Sequence, residues 1–176
     1  MSQHPDLDLR AYIRDIPDFP KPGILFRDIT PLLATPIAFR EAIERLADAF
    51  RNTELEAIVT AEARGFLFAA PLAMELGLGL VPIRKAGKLP YQTHKLSYDL
   101  EYGSDSLEMH VDGIRAGDRV LVVDDLLATG GTIEACCQLV ERNGAQVTTC
   151  VFAIELMGLA GRERIAPRPT FSLIQY

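Results

Sequence analysis

Four consecutive apolar residues, Val120-Leu121-Val122-Val123, run straight into Asp124-Asp125. No other stretch limits the fold as tightly. An unbroken apolar run of this kind predicts a parallel strand covered on both faces. Two charges at the end of such a strand have little reason to be there unless they face a crevice. In open α/β sheets, ligands bind at the carboxyl ends of the strands. After Leu126-Leu127-Ala128 come Thr129-Gly130-Gly131-Thr132 and a helical run beginning near Ile133. Glycine permits backbone angles closed to other residues, so successive N–H groups can converge on an anion. A helix N-terminus and two threonine hydroxyls add donors. Like charges bar Asp124 and Asp125 from that same anion. They suit sugar hydroxyls, or a metal that offsets the ligand's charge. The segment reads as a site for a ribose and a phosphate, against the plainer alternative of a strand-to-helix turn with a threonine cap.

The rest of the chain alternates between the two periodicities. Leu7 to Ile16 reads as a short amphipathic helix, followed by a proline-rich turn from Pro17 to Gly23 and a brief extended segment at Ile24-Leu25-Phe26. Thr35 and Pro36 form an N-cap and first-turn proline for a helix with Phe39, Ile43, Leu46 and Phe50 on one face. Strands are predicted at Ala57–Ala61, Leu80–Ile83, Val147–Ile154 and Thr170–Ile174. Helices are predicted at Gly65–Leu76, capped by Gly77, and at Ile133–Arg142, capped by Gly144. Lys85–Lys95 shows no period. Leu100, Tyr102, Leu107, Met109 and Val111 alternate around Gly103-Ser104 as in a hairpin. Alternating strands and helices predict a parallel sheet with helices on both faces, in one domain spanning residues 1–176.

Composition narrows the partners. A hydrophobic content of 48% without low-complexity runs indicates a globular chain, and no apolar stretch reaches membrane-span length. No secretory signal is visible at Met1–Asp6, and three sparse cysteines argue against a disulfide framework, so a cytoplasmic location is expected. His4, His94 and His110 lack metal-ligand spacing, and no protein metal ligand is assigned. A net charge of −6 argues against nucleic acid. The basic residues are local instead: Arg84, Lys85 and Lys88 cluster, and Arg64 stands in a glycine-flanked loop.

Val120–Thr132 resembles the phosphoribosyl-pyrophosphate signature of type I phosphoribosyltransferases, and its wording resembles the adenine-specific branch of that family. The similarity continues through Pro17–Gly23, Phe26–Pro31, Glu62–Phe66, Gly87–Pro90 and Leu100–Gly103. It implies an α/β type I phosphoribosyltransferase core with a small hood built from N-terminal and C-terminal segments. The implied reaction joins adenine to phosphoribosyl pyrophosphate, giving AMP and pyrophosphate. Mg2+, bound mainly through substrate pyrophosphate and ribose hydroxyls, is the implied cofactor, and a homodimer the implied assembly.

By the same resemblance, Ala128, Thr129, Gly130, Gly131 and Thr132 cradle the 5′-phosphate, while Asp124 and Asp125 hold the ribose hydroxyls. Glu62, Ala63 and Arg64 match the pyrophosphate loop, with a cis peptide suggested between Glu62 and Ala63. Arg64 supplies a planar donor fork for phosphate; on its residues alone it reads as a solvated helix-start arginine. Arg84, Lys85 and Lys88 are further pyrophosphate candidates, or merely a solvated charge run. Residues 86–99 match a mobile lid, although the wording of Tyr91–Leu96 departs from the family pattern. Glu101 matches a catalytic acid/base, with Tyr102 beside it in the substrate-binding set; Glu101 also reads as an exposed hairpin residue. Phe26 matches the residue stacked on adenine, or a plain core aromatic. Backbone groups of Leu25 and Arg27 read the 6-amino edge, and Leu156 closes the other face.

Three other functions compete. A 6-oxopurine or orotate phosphoribosyltransferase shares the phosphate turn but not the Phe26–Asp28 and Leu100–Gly103 blocks. A non-catalytic regulator sensing phosphoribosyl pyrophosphate needs a basic helix-turn-helix, for which the residues before Leu7 leave no room. A P-loop nucleotidase is excluded because Gly87-Lys88 is followed by Leu89 rather than Ser or Thr.

Overall fold

The position of the site follows from one reversal in the order of a seven-stranded sheet. The structure, a computed structural model, describes residues 6–99 and 104–176. Two compact units divide the chain, one ending at Phe50 and the other running from Arg51 to Tyr176.

In the N-terminal unit, a 3-10 turn (Leu9–Tyr12) leads into β1 (Arg14–Ile16), which pairs antiparallel with β2 (Phe26–Asp28), Ile16 opposite Phe26. The helix predicted for Leu7–Ile16 is therefore only this single turn. Pro17 disfavours helical angles at the residue before it, and so short a helix is marginal by itself. Pairing with β2 satisfies the backbone instead. The extended segment expected at Ile24–Phe26 lies at Phe26–Asp28. A short helix, α1 (Thr30–Ala34), precedes α2 (Pro36–Asp48). Thr35 occupies the N-cap position of α2 but does not cap it through its side chain; its hydroxyl donates back to the Pro31 carbonyl at 2.9 Å. The predicted apolar face is buried at Ile43, Leu46 and Phe50, and Ala38, Ala42 and Ala47 extend it.

In the larger unit, β3 (Ala57–Ala61), α3 (Gly65–Leu76) and β4 (Gly79–Lys85) are followed by β5 (Thr93–Asp99) and β6 (Ser104–His110). The chain then forms β7 (Arg119–Leu127), α4 (Gly131–Arg142), β8 (Gln146–Glu155), α5 (Gly161–Ile165) and β9 (Thr170–Gln175). The sheet order is β5-β6-β4-β3-β7-β8-β9. Strands β4, β3, β7, β8 and β9 are parallel; β5 and β6 add an antiparallel ribbon at one edge. From β3 the chain crosses through α3 to β4 on one side; from β7 it crosses through α4 to β8 on the other. Right-handed crossovers in opposite directions place α3 and α4 on opposite faces. The switch point between β3 and β7 is where such sheets open a crevice.

Val120, Leu121, Val122 and Val123 are wholly buried, as a strand covered on both faces requires. The strand does not stop there. β3 pairs with β7 as far as Thr60 opposite Val123, whereas β8 continues to Leu127 opposite Glu155. Both aspartates are thus strand residues, held in register from one side and released on the other. Thr93–Asp99, half of the expected lid, is a paired strand: Leu96 and Leu107 are buried and face each other across the ribbon. The hairpin exists with Asp99 opposite Ser104; Leu100 and Tyr102, expected in its first arm, lie outside the described residues. Cys136, Cys137 and Cys150 are free and buried.

Candidate active site

At the switch point, β3 and β7 each pass into the start of a helix. Gly65 lets α3 begin close against the sheet: a Cβ there would stand 2.7 Å from Thr60 Oγ1 and 2.8 Å from Asp124 Oδ1. The preceding residue, Arg64, is thereby fixed at the N-cap position, where its Nε donates to Asp125 Oδ2 at 2.8 Å. Asp125 is 4% exposed, and its backbone N–H donates to Asp124 Oδ1 at 2.8 Å. Burial pushes the Asp124 carboxyl well above the usual carboxylate range, and the neighbouring charge of Asp125 adds to it. After Leu127 the chain turns through Gly130, whose φ of 82° belongs to the left-handed region, and enters α4 at Gly131. The first N–H groups of a helix have no acceptor within it. Arg64, Asp124, Asp125, Ala128, Thr129, Gly130 and Thr132 line one cleft, together with Leu126, Leu127 and Ile133.

A second polar cluster forms at the ends of β3 and β4. The Glu62 carboxylate, 6% exposed, accepts from Arg84 Nε at 2.8 Å, Lys88 Nζ at 3.0 Å and the Lys85 N–H at 3.1 Å. Desolvation opposes its ionisation, but the bonds from Lys88, Arg84 and Lys85 outweigh it, leaving its pKa below the ordinary value. Glu108 on β6, also buried, accepts from the Gly87 N–H at 2.9 Å and fixes the turn between Lys85 and Lys88. Arg84 and Lys88 are therefore tethered to one carboxylate while remaining partly open to solvent. The Glu62–Ala63 peptide is cis.

The remaining expected residues fall elsewhere. Gly131 does not line the cleft; it begins α4 with ordinary angles, and a Cβ on it would come 3.2 Å from the Arg164 guanidinium. Leu156 follows β8, its N–H donating to the Leu127 carbonyl at 2.9 Å. In the N-terminal unit, Leu25 is 44% exposed, Phe26 packs edge-on against Phe19 with ring centroids 5.1 Å apart, and Arg27 pairs with Asp15. Glu101 and Tyr102 lie outside the described residues. Sequence reasoning passed over the apolar lining at Leu126, Leu127 and Ile133, although the alternation of β7 carries that signal. It also passed over Glu62 as the carboxylate that gathers the basic residues, a pairing made 22 and 26 positions apart with no local pattern to announce it.

Chemically, the cleft offers a cationic fork, two carboxylates and a helix start within one short arc. That set suits a ligand carrying both hydroxyls and phosphate. Among the described residues no group of three or more His, Cys, Asp and Glu side chains is placed to hold a metal ion. Asp124 and Asp125 nevertheless supply hard oxygen donors of the kind that accompany a hydrated, substrate-bound cation. No helix among the described residues is long and apolar enough to cross a membrane.

Residues 28–170 match the family model of the phosphoribosyl transferase domain. The chain is 59% identical over 168 residues to the adenine phosphoribosyltransferase of Methylococcus capsulatus, covering 96% of this chain and 98% of the other. Among solved structures, the adenine phosphoribosyltransferase of Thermoanaerobacter pseudethanolicus superposes with a TM-score of 0.92 at 52% identity, covering 96% and 98% of the two chains. The Saccharomyces cerevisiae enzyme, solved with adenine and an imino-altritol bisphosphate, superposes with a TM-score of 0.88 at 42% identity, covering 94% and 96%.

Proposed function

Because this chain belongs to the phosphoribosyltransferase family, and within it to the adenine phosphoribosyltransferases, we propose that the cleft between β3 and β7 is where it transfers the phosphoribosyl group. The enzyme converts adenine and phosphoribosyl pyrophosphate to AMP and pyrophosphate, a purine-salvage reaction. The observation that carries the site assignment is the convergence of Arg64, Asp124, Asp125, Ala128, Thr129, Gly130 and Thr132 on one cleft at the sheet's switch point.

In this reading the N–H groups of the turn and the hydroxyls of Thr129 and Thr132 take the 5′-phosphate. Asp124 and Asp125 accept hydrogen bonds from the ribose hydroxyls and stand near the positive charge that develops on the ring as the bond to pyrophosphate breaks. Arg64, with Arg84, Lys85 and Lys88 around Glu62 and Ala63, stabilises the growing negative charge on the leaving group. Orientation and electrostatic stabilisation are the protein's principal contributions. Mg2+, held through pyrophosphate and ribose hydroxyls beside Asp124 and Asp125, would neutralise part of that charge. From the sequence match alone, Phe26 is assigned to stacking on the base and the Leu25 and Arg27 backbone to reading its amino edge. Glu101, assigned from its sequence match alone, takes the N9 proton, with Tyr102 beside it.

Three further proposals concern the surroundings. Residues 86–92, which lie outside helix and strand, form the movable part of the lid. A homodimer is supported by α3, apolar but for Glu75 in its last turn, with Leu67 44% and Met74 85% exposed and Leu80 beyond it 38% exposed. A helix of that composition is ordinarily covered. The protein works in the cytoplasm.

One steady-state assay tests the assignment: adenine, hypoxanthine, guanine and orotate are each offered with phosphoribosyl pyrophosphate and Mg2+, and the products identified. Backbone readout of the amino edge leaves hypoxanthine with mismatched donors and acceptors, so discrimination of ~10⁴-fold in kcat/KM is expected. Comparable values for adenine and hypoxanthine would overturn the base assignment and leave the fold untouched.

A further inference from the structure

Behind the phosphate turn stands a segment to which the assignments above give no role. β8 ends at Glu155, and the chain passes through a 3-10 turn (Met157–Leu159) into α5 before joining β9. Where α5 begins, backbone meets backbone. A Cβ on Gly161 would lie 2.2 Å from the Ala128 carbonyl oxygen and 2.9 Å from Leu127 Cδ1. Reciprocally, a Cβ on Gly130 would lie 2.8 Å from the Gly161 carbonyl oxygen. Real Cβ contacts essentially never fall below 3.0 Å. Gly161 is not among the glycines with positive φ, so its requirement is for space alone.

This segment is fixed more firmly than a surface connection needs to be. Arg162 grips Glu155 with both ends of its fork, Nε to Oε1 at 3.0 Å and Nη2 to Oε2 at 2.6 Å, and reaches the Thr170 carbonyl at 3.1 Å. Ser172 on β9 donates to the same carboxylate, which is 2% exposed. Arg164 joins the segment to α4 through Glu134 at 2.7 Å while its guanidinium lies against Gly131. A forked arginine–carboxylate pair adds geometric specificity as well as energy, and it leaves this segment one arrangement.

We propose that the start of α5 is the backstop of the phosphate turn. Gly161 is a positioning residue that sets the depth of Ala128–Gly130, and the Arg162–Glu155 clamp holds the backstop in place. The inference rests on the reading that Ala128–Thr132 receives the 5′-phosphate. A side chain at 161 must push the Ala128 carbonyl back by roughly 1 Å, enough to spoil a hydrogen bond from the turn to the phosphate.

The test compares two ligands by calorimetry: AMP, and adenosine, which lacks the phosphate. In Gly161→Ala, AMP affinity should fall roughly 10- to 100-fold, the worth of one hydrogen bond to a charged group, while adenosine binds as in the parent enzyme. Unchanged AMP binding, or equal losses for both ligands, would overturn the backstop. Should Gly161→Ala not fold, Arg162→Lys carries the same comparison, since it keeps the charge and removes the fork; a smaller loss confined to AMP supports the proposal, and no loss overturns it. Thr132→Val separates the two readings. If it weakens AMP selectively while Gly161→Ala does not, the backstop alone falls. If it leaves the ratio of AMP to adenosine affinity unchanged, the phosphate assignment falls and the backstop with it.

Discussion

The β7–α4 turn and the Glu62 cluster both belong to the candidate site, yet they are built on opposite principles. The turn is contiguous: nine positions from Asp124 to Thr132 carry both carboxylates, the left-handed glycine and the helix start. The cluster is assembled from two strand ends, and its cations are held by one buried carboxylate. Their two key acids differ in the same sense. Asp124 is pushed up by burial and by its neighbour's charge; Glu62 is drawn down because its hydrogen bonds outweigh desolvation. One carboxylate is kept at a cost in stability, and the other helps to hold its surroundings together. Function in the first case and architecture in the second is what this contrast teaches.

Several variants can break or sharpen it. The largest effect is expected from Asp124→Asn with Asp125→Asn, which should reduce kcat by ~10²–10³-fold with the fold intact, the scale for losing a preorganised electrostatic partner. Near-wild-type turnover in a folded double variant, followed by product formation and circular dichroism, would remove both acids from the mechanism.

Glu62→Gln should act on stability as well as on activity, by ~1–2 kcal/mol in urea unfolding at neutral pH, since charge-assisted bonds are lost but their donors stay partly solvated. The pH dependence has a definite sign. A carboxylate whose folded pKa is lowered contributes above its unfolded value and loses that contribution as pH falls through the folded one. The gap between wild type and Glu62→Gln should therefore narrow on acidification; a gap constant with pH would show that the carboxylate charge is not what matters.

Asp124→Asn alone should show the reverse. With its folded pKa raised, the wild type loses stability as pH rises from the ordinary carboxylate range through the raised value. The variant should melt about 2–4 °C higher at neutral pH, the shift that ~1 kcal/mol gives in a chain of this size, and the advantage should shrink in acid. A lower melting temperature at neutral pH would contradict the contrast drawn above.

The smallest effect concerns the turn after β4. Backbone amides at 86–92 should exchange faster than those of β5, and phosphoribosyl pyrophosphate should slow them. Equal protection of the two segments in the free enzyme would argue against a movable lid.

Much of the larger unit was legible because its signals are local. Ala57–Ala61 and Gly65–Leu76 match the observed elements at both ends, since an apolar run and a terminal glycine are read without knowing what they pack against. Leu7–Ile16 was misread because its fate is decided by a partner strand ten residues further on. The same holds within the site. Asp124 to Thr132 announced a ligand by pattern, whereas Arg64 looked like a solvated cation until Asp125, sixty-one positions away, was found beneath it. Gly131 was grouped with Gly130 because both are glycines. Only packing separates them: one turns the chain, and the other makes room for Arg164.

The cations given to pyrophosphate meet it with their places already taken: Arg64 by Asp125, Arg84 and Lys88 by Glu62. On the assignment proposed here, substrate entry is an exchange of anions rather than the filling of a bare positive surface. Its affinity is a difference between two sets of contacts. The tethered carboxylates act as internal competitors at a fixed local concentration, which no dilution lowers. As pyrophosphate departs, they are at hand to reclaim the cations. A site built in this way gives up some tightness of binding and gains a ready means of letting its product go.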